Sequence, residues 1–265
     1  MTPDADRAAV RRLVRWFDRH GPDLPWRRTR DRWAVLVSEV MLQATPVARV
    51  VPYYEDWMRR WPAPGDLASV TVGEALAAWQ GLGYPRRARN LHAAAGVIAA
   101  HGWPAPTRYE DLPGVGRYTA DALRCFADEQ PVLPEDVNVR RVVARRFPDG
   151  WPGAARGRSW HAGQAMMDLG REFCRARAPR CDDGCPMRAG CPAADAGVVD
   201  EVTPRARRQA RYEGSMRQRR GHLLRALATD GRVSVGSDPE AAATLVAEGL
   251  ADRRGAVLVP AGSAA

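Results

Sequence analysis

Four cysteines in the second half of the chain have the type and spacing of metal ligands. Cys174, Cys181, Cys185 and Cys191 fall within 18 residues, in the order C-x6-C-x3-C-x5-C. Four thiolates this close together can bind a zinc ion or a [4Fe-4S] cluster. Zinc sites often use paired C-x2-C motifs, which this segment lacks, so the wide gaps favour the cluster. Cys125 lies in the apolar stretch ALRCFA and is expected to be a core residue.

A glycine-containing turn is the second pattern with chemical meaning. It lies between two stretches of helical periodicity, so it predicts a turn that connects two helices. Its glycines let the backbone approach a bulky anion, and the second helix presents free N–H groups at its positive end. The turn therefore suits a sequence-independent grip on DNA phosphates, although glycine also favours a plain connection between helices. The residues are Leu112, Pro113, Gly114, Val115 and Gly116, followed by Arg117, Tyr118 and Thr119.

The charge of the chain also points to a polyanion. The net charge is +9, and all 40 basic residues are arginine, because the sequence contains no lysine. A positive excess suits nucleic acid or an anionic membrane surface, although a genomic bias toward arginine codons gives the same composition. The lack of lysine excludes a mechanism that uses a lysine amine as nucleophile. No apolar run is long enough to span a bilayer, and no signal sequence is evident, so a cytoplasmic location is expected.

Helical periodicity predominates and indicates an all-α fold. Near the C-terminus, the pieces RVSV and AVLVP can pair as short strands. With the two helices predicted there, they predict a small winged-helix-like tail. Helices are predicted at 33–43, 46–58, 71–81, 86–100, 117–127, 138–146, 159–173, 215–228 and 238–249, with a short one after Thr107.

Four motifs together resemble the MutY-like adenine DNA glycosylases of the endonuclease III superfamily. They are SEVMLQATPVARVVPYYEDW, GLGYPRRARNLH, LPGVGRYTA, and GQAMMDLG with the four cysteines, in uninterrupted order over roughly residues 23 to 193. The usual family spacing is C-x6-C-x2-C-x5-C, so the Asp182–Gly184 loop here is one residue longer. The resemblance implies a [4Fe-4S] cluster on the four cysteines.

The resemblance also implies a two-lobed fold with DNA across the cleft and the target nucleotide flipped out of the stack. It predicts a six-helix barrel domain with the hairpin at 23–133, and a cluster domain made of 1–22 and 134–195. A basic linker at 196–214, containing RARRQAR, would then lead to the α/β tail at 215–265.

Two carboxylates are the catalytic groups that the resemblance implies. Asp136, in a D-x-N-V context, would stabilise or capture the positive charge that develops on the sugar. The alternative for Asp136 is a helix N-cap, and Asn138 would orient the site or cap the same helix. Glu39 shares a helical stripe with apolar residues that would raise its pKa, which suits a general acid, whereas the alternative is a surface glutamate. Glu135 is rejected, because the D-x-N spacing begins at Asp136.

The resemblance assigns further residues to DNA and base contacts. Gln43 and Gln164 would contact the flipped base or the DNA, and Tyr84 would wedge into the base stack, with a core aromatic as its alternative. Ala44 stands where the family more often has a second glutamine. Tyr118 occupies the position of the Schiff-base lysine in the bifunctional branch. Tyrosine cannot form an imine, so monofunctional hydrolysis to an abasic site is expected.

The expected function is base excision repair of adenine mispaired with guanine or 8-oxoguanine, by a monomer acting on double-stranded DNA of the nucleoid. Only residues 192–265 follow the last cysteine, fewer than the family's usual oxoguanine-reading domain has, so only a modest oxoguanine preference is expected. Two alternatives remain: a thymine or uracil mismatch glycosylase, and a non-catalytic DNA-binding module.

Overall fold

The computed structural model describes residues 3–197 and 211–263, and these residues form mainly α-helices with one small sheet. The predicted fold class is therefore confirmed. None of the helices in these two ranges has the length and hydropathy that a bilayer crossing requires. The helices are α1 (Pro3–His20), α2 (Arg32–Leu42), α3 (Val47–Arg60), α4 (Pro64–Ala68), α5 (Val72–Ala78), α6 (Arg86–His101), α7 (Arg117–Phe126), α8 (Val137–Arg146), α9 (Ser159–Glu172), α10 (Pro192–Asp195), α11 (Met216–Asp230) and α12 (Pro239–Ala247). The strands are β1 (Val233–Ser234), β2 (Ala251–Arg254) and β3 (Val257–Pro260).

Helix α9 is the centre of the first of two compact units, which comprises Met1–Val35 and Gly116–Ala206. It packs against α1, α7 and α8. Its two glycines permit this close packing. A Cβ atom at Gly163 would lie 2.8 Å from Phe126 Cε1, and one at Gly170 would lie 3.0 Å from Asn138 Cβ. A larger residue at either position would push α9 away from α7 or α8.

The second unit comprises Leu36–Val115 and Arg207–Ala265. Its helices α4 and α5 pack against α6. Its core includes Trp57 and Trp79, which are almost fully buried and meet edge to face at 5.4 Å between ring centroids. Such pairs add stability beyond the area that they bury.

The C-terminal helices and strands belong to this second unit. The sheet has the order β1-β3-β2 with antiparallel pairs, and α11 and β3 both pack against α5. The Gly73 amide donates to the carbonyl oxygen of Ala261 over 2.8 Å, and a Cβ atom at Gly73 would lie 2.5 Å from Pro260 Cβ. Glycine at this position therefore allows the tail to pack closely.

Most predicted helices are found within a few residues of their expected ends. The capping box of Thr71 and Glu74 is present at the start of α5, and Gly102 ends α6 with φ of 77°. Pro46 is the N-cap of α3 and makes no side-chain bond. The short helix expected after Thr107 is a 3-10 turn over Pro106–Asp111. The sequence reasoning missed α4, α10 and β2.

The compact units divide the chain differently from the predicted domains. Their boundaries fall inside α2 and inside the hairpin loop, because α7 packs with α9 in the first unit. The tail joins the second unit through α5. The barrel and cluster domains stay predictions. Most of the predicted basic linker, residues 198–210, lies outside the described residues.

Candidate active site and nucleic-acid interface

Asp136 is the N-cap of α8, and its carboxylate is held by three N–H donors. Oδ1 accepts from the backbone amides of Asn138 at 2.8 Å and Val139 at 2.7 Å. Oδ2 accepts from Asn138 Nδ2 at 2.9 Å. An ionised carboxylate offers about four acceptor positions, so Oδ2 keeps capacity for a ligand. The capping interpretation is therefore confirmed, and it is compatible with catalysis because the cap fixes the orientation of a half-buried carboxylate.

Arg141 connects this carboxylate to the cysteine segment. Its Nη2 donates to Asn138 Oδ1 at 2.9 Å and to the Gly170 carbonyl at 3.0 Å, and its Nε donates to the Cys174 carbonyl at 2.7 Å. The side chain is buried, and burial lowers the pKa of Arg141, whereas the charges of Cys174 and Asp136 raise it. A guanidinium nevertheless stays charged in proteins. Asn138 is thus fixed from both sides, by Asp136 and by Arg141.

Gln164 lies on α9 with its amide oxygen already engaged. Arg27 Nε donates to Gln164 Oε1 at 2.8 Å, and the same guanidinium forms a buried, two-pronged ion pair with Asp168 at 2.9 and 3.1 Å. Bidentate pairs of this kind fix geometry as well as charge. Among the described residues, no acceptor is found for the Gln164 amide nitrogen.

Tyr118 is half-buried near the start of α7. Its hydroxyl lies 4.0 Å from Met167 Sδ, on the same helix that carries Gln164. Cys125, about two turns further along α7, is fully buried and donates to the Ser159 carbonyl at 3.3 Å. The expectation that Cys125 is a core residue is therefore confirmed.

The predicted hairpin spans the boundary between the two units, which lies between Val115 and Gly116. In the second unit, Leu112 and Val115 are buried, and the Val115 amide closes the turn by donating to the Leu112 carbonyl at 3.0 Å. Gly114 has φ of 77°, and a Cβ atom there would lie 2.6 Å from Asn90 Cβ. Glycine is therefore required at 114 both for its conformation and for space.

In the first unit, Gly116 is the N-cap of α7 and is exposed, as is Arg117, whose side chain is 93% accessible. This end of α7 can therefore receive an anion. Thr119 is buried, so its side chain supports the turn from within. A Cβ atom at Gly116 would meet no described atom within 4 Å, so packing does not require glycine at this position.

Glu39 and Gln43 lie near the end of α2. Glu39 is 6% exposed, so the surface-glutamate alternative is wrong. Gln43 is half-buried and lines a cavity of about 40 Å³ together with Asn90, Pro113 and Gly114. The second unit thus brings Gln43 and the hairpin turn together.

Tyr84 stands on a backbone loop that is held in place from several sides. It has φ of 49°, which is unusual for a residue with a side chain, and it is 48% exposed, so the core-aromatic alternative is wrong. Carbonyl oxygens of the loop accept from Tyr53 Oη at 2.7 Å and Trp79 Nε1 at 3.0 Å. A rigid loop that presents an exposed aromatic ring in a strained conformation is typical of a functional position.

The buried side chain of Arg87 is the principal support of this loop. It donates six hydrogen bonds, to the carbonyls of Leu82 and Gly83, to Thr45 Oγ1, and to three carbonyls around the end of α2, including that of Gln43. Its Cζ atom also lies 5.4 Å from the Tyr84 ring centroid. Burial lowers the pKa of Arg87, and the Tyr84 charge raises it. Arg87 therefore holds the residue after α2 and the Tyr84 loop in fixed positions.

The four candidate ligand cysteines are free thiols and half-buried. Burial raises the pKa of Cys185 to about 11. The hydrogen bond from the Met187 backbone amide lowers this pKa, and the charges of Cys181, Cys174 and Cys191 raise it. Within the described residues, no three ligating side chains are arranged to hold a metal ion. The donor chemistry therefore fits a four-thiolate group, whereas the geometry does not define one.

Sequence reasoning missed Arg27, Arg87 and Arg141. Only Arg141 had a signal, since it follows Asn138 by three residues and so shares its face of α8. The side-chain partners of Arg27 and four of the six acceptors of Arg87 are distant in sequence, and no local pattern identifies them.

Known proteins resemble the chain in sequence and in fold. Residues 37–153 match the model of the HhH-GPD superfamily base excision DNA repair proteins. An adenine DNA glycosylase of Mycobacterium tuberculosis is 44% identical over 236 residues, which cover 80% of this chain and 76% of the relative. A thymine-DNA glycosylase of Aeropyrum pernix is 34% identical over 210 residues, which cover 69% and 93%.

Two solved structures share the fold. A thermostable thymine-DNA glycosylase has a TM-score of 0.66 and 24% identity, over 73% of this chain and 98% of its own. Endonuclease III, trapped as a covalent intermediate with DNA, has a TM-score of 0.61 and 22% identity, over 74% and 99%. The resemblance inferred from the motifs is confirmed: the chain is a DNA glycosylase, and it belongs to the adenine DNA glycosylases of the HhH-GPD superfamily.

Proposed function

We propose that this protein hydrolyses the N-glycosidic bond of adenine mispaired with guanine or 8-oxoguanine in double-stranded DNA. Its relationship to adenine DNA glycosylases supports adenine as the target. The observation that carries the proposal is the Asp136 carboxylate, oriented by three N–H donors and still able to accept a ligand. Positive charge develops on the sugar as the base departs, and a fixed carboxylate stabilises that charge or captures the sugar.

The proposed reaction leaves an abasic site in an intact strand. Glu39 gives a proton to the adenine, and the electron pair of the bond between C1′ and N9 leaves with the base. A water oxygen then bonds to C1′, and its proton passes to a carboxylate. Gln43 and Gln164 contact the flipped base, with the Gln164 amide nitrogen as donor. With tyrosine at 118 and no lysine in the sequence, cleavage of the strand through an imine has no side-chain amine to start from.

The proposed DNA grip has two parts. The exposed Gly114, Gly116 and Arg117 contact phosphates, while the buried Leu112, Val115 and Thr119 hold the turn in shape. Tyr84 wedges into the base stack from its supported loop. We expect a monomer, with one protein molecule at each lesion. We also expect it to act on the DNA of the nucleoid in the cytoplasm.

A [4Fe-4S] cluster on Cys174, Cys181, Cys185 and Cys191 is part of the proposal. Its contribution there would be structural, because four cysteine thiolates bound to one cluster would close the loop over 174–191. Arg141 and Arg145 bond to backbone carbonyls of this segment, at Cys174 and Arg175. Arg141 thus links the loop over 174–191 to Asn138 by hydrogen bonds.

The alternative target is thymine or uracil opposite guanine, favoured by the 34% identity to a thymine-DNA glycosylase. Duplexes containing A:G, A:oxoguanine, T:G or U:G, scored for alkali-labile abasic sites with excess enzyme, separate the two. We expect abasic sites in both adenine duplexes. Reaction of T:G or U:G with A:G untouched would assign the alternative. No reaction in any duplex would favour a non-catalytic DNA-binding module.

A further inference from the structure

A cleft of about 830 Å³ lies within the second unit, between the 80–86 loop and α11 of the C-terminal tail. One wall carries Tyr84, and the other carries Tyr212 and Arg217. The predicted base wedge therefore shares a cleft with a part of the chain to which the proposed function gives no role.

Both tyrosines present aromatic surface to this cleft. Tyr84 and Tyr212 are each 48% exposed. The Tyr212 ring lies along α11. The Arg217 guanidinium is 5.0 Å from the centroid of this ring. The Tyr212 hydroxyl is 3.8 Å from the position that a Cβ atom at Gly221 would occupy. The ring thus lies in van der Waals range of α11, and the Arg217 guanidinium holds it by a cation–π contact.

The charge of the cleft is positive. Arg49, Arg217 and Arg225 line it and are exposed. Glu248 also lines it, but its carboxylate is already paired with Arg86, at 2.7 Å, and with Arg220. Exposed aromatic rings beside arginines suit bases and phosphates together, whereas an acidic peptide would use only the charges.

We propose that this cleft binds a phosphodiester strand of the substrate DNA, with Tyr84 and Tyr212 stacking on bases and Arg49, Arg217 and Arg225 contacting phosphates. The inference rests on the proposed function, which makes a DNA duplex the substrate. It gives the C-terminal tail a role in holding DNA rather than in the chemical step.

Fluorescence anisotropy on labelled duplexes tests this proposal, with an A:G mismatch and with full pairing. The charge variant is Arg217→Ala with Arg225→Ala. Its matched control is Arg232→Ala with Arg253→Ala, which removes two exposed arginines of the tail that do not line the cleft. For the charge variant we expect weaker binding and a salt dependence, log K against log salt, that is shallower by about 1.8, or about 0.9 for each phosphate contact. The control should keep the wild-type slope.

Stacking is tested with Tyr212→Ala against Tyr212→Phe. The alanine variant should bind about fivefold more weakly or worse, and the phenylalanine variant should bind as the wild type does. The proposal would be overturned if the charge variant and Tyr212→Ala both kept the wild-type affinity and salt dependence. That result would indicate that the cleft binds a protein partner instead. Affinity is read without base removal. If the cleft variants bind DNA more weakly but the protein excises no adenine, only the proposed function is contradicted. If the protein excises adenine but the cleft variants bind DNA as the wild type does, only this inference is contradicted.

Discussion

Arg141 Nε donates a 2.7 Å hydrogen bond to the carbonyl oxygen of Cys174, so a buried cation joins the helix of the candidate nucleophile to the first cysteine of the cluster segment. The same guanidinium holds Asn138, which donates to Asp136. Asp136 touches the reacting sugar in the proposed mechanism, whereas Arg141 acts as a positioning residue.

Arg141→Lys should slow adenine release at saturating enzyme by about tenfold to a hundredfold, because lysine keeps the charge but cannot reach three acceptors in a plane. DNA affinity should change by less than about threefold, since Arg141 is buried. The control is Arg140→Lys on the exposed side of α8. An equal loss of rate and of affinity would indicate a general folding defect instead.

Asp136→Asn should lower single-turnover base removal by at least about a hundredfold while DNA binding persists. Asparagine caps helices as well as aspartate does, so this change removes the charge and keeps the cap of α8. Asp136→Ala should in addition lose about 1 kcal/mol of stability through the lost cap, measured by urea denaturation. Near wild-type rates in Asp136→Asn would exclude Asp136 from the chemistry.

Arg87→Lys should destabilise the protein by about 2–4 kcal/mol, because three ammonium donors cannot replace six hydrogen bonds and buried carbonyls are left unpaired. The exposed Arg108→Lys provides the control, with an expected change within about 0.5 kcal/mol. Urea denaturation measures both. Equal stability of the two variants would show that the Tyr84 loop is held without Arg87.

The purified protein should be brown, with broad absorbance at about 400 nm and bound iron, as four thiolates around a [4Fe-4S] cluster require. Cys185→Ala should lose the iron and destabilise the 174–191 segment, because metal binding and folding are coupled. Cys125→Ala, at the buried fifth cysteine, should keep the colour. A colourless protein with one zinc ion would show that the longer C-x3-C spacing selects a different metal.

The sequence predicted most of the helices, because helices leave local signals, and the site prediction rests on signals of the same local kind. Capping residues such as Thr71, the apolar periodicity around Glu39 and the short D-x-N motif at Asp136 are all contained within a few residues. The strand β2 was missed because ADRR has no alternating apolar pattern and is specified by pairing with β3. Arg87 and Arg27 were missed because their acceptors come from distant parts of the chain. The cleft around Tyr212 depends on how the tail packs on α5, which no local motif encodes.

Direct analysis of the products from an A:G duplex tests the central claim. Excess wild-type enzyme is incubated with the duplex, free bases are identified by mass spectrometry, and the strand is resolved before and after alkali, with a parallel sample treated with borohydride. We expect free adenine equal in amount to the alkali-labile sites, an uncut strand before alkali, and no covalent complex after borohydride. A covalent complex with strand cleavage before alkali, or abasic sites without free adenine, would contradict monofunctional adenine hydrolysis.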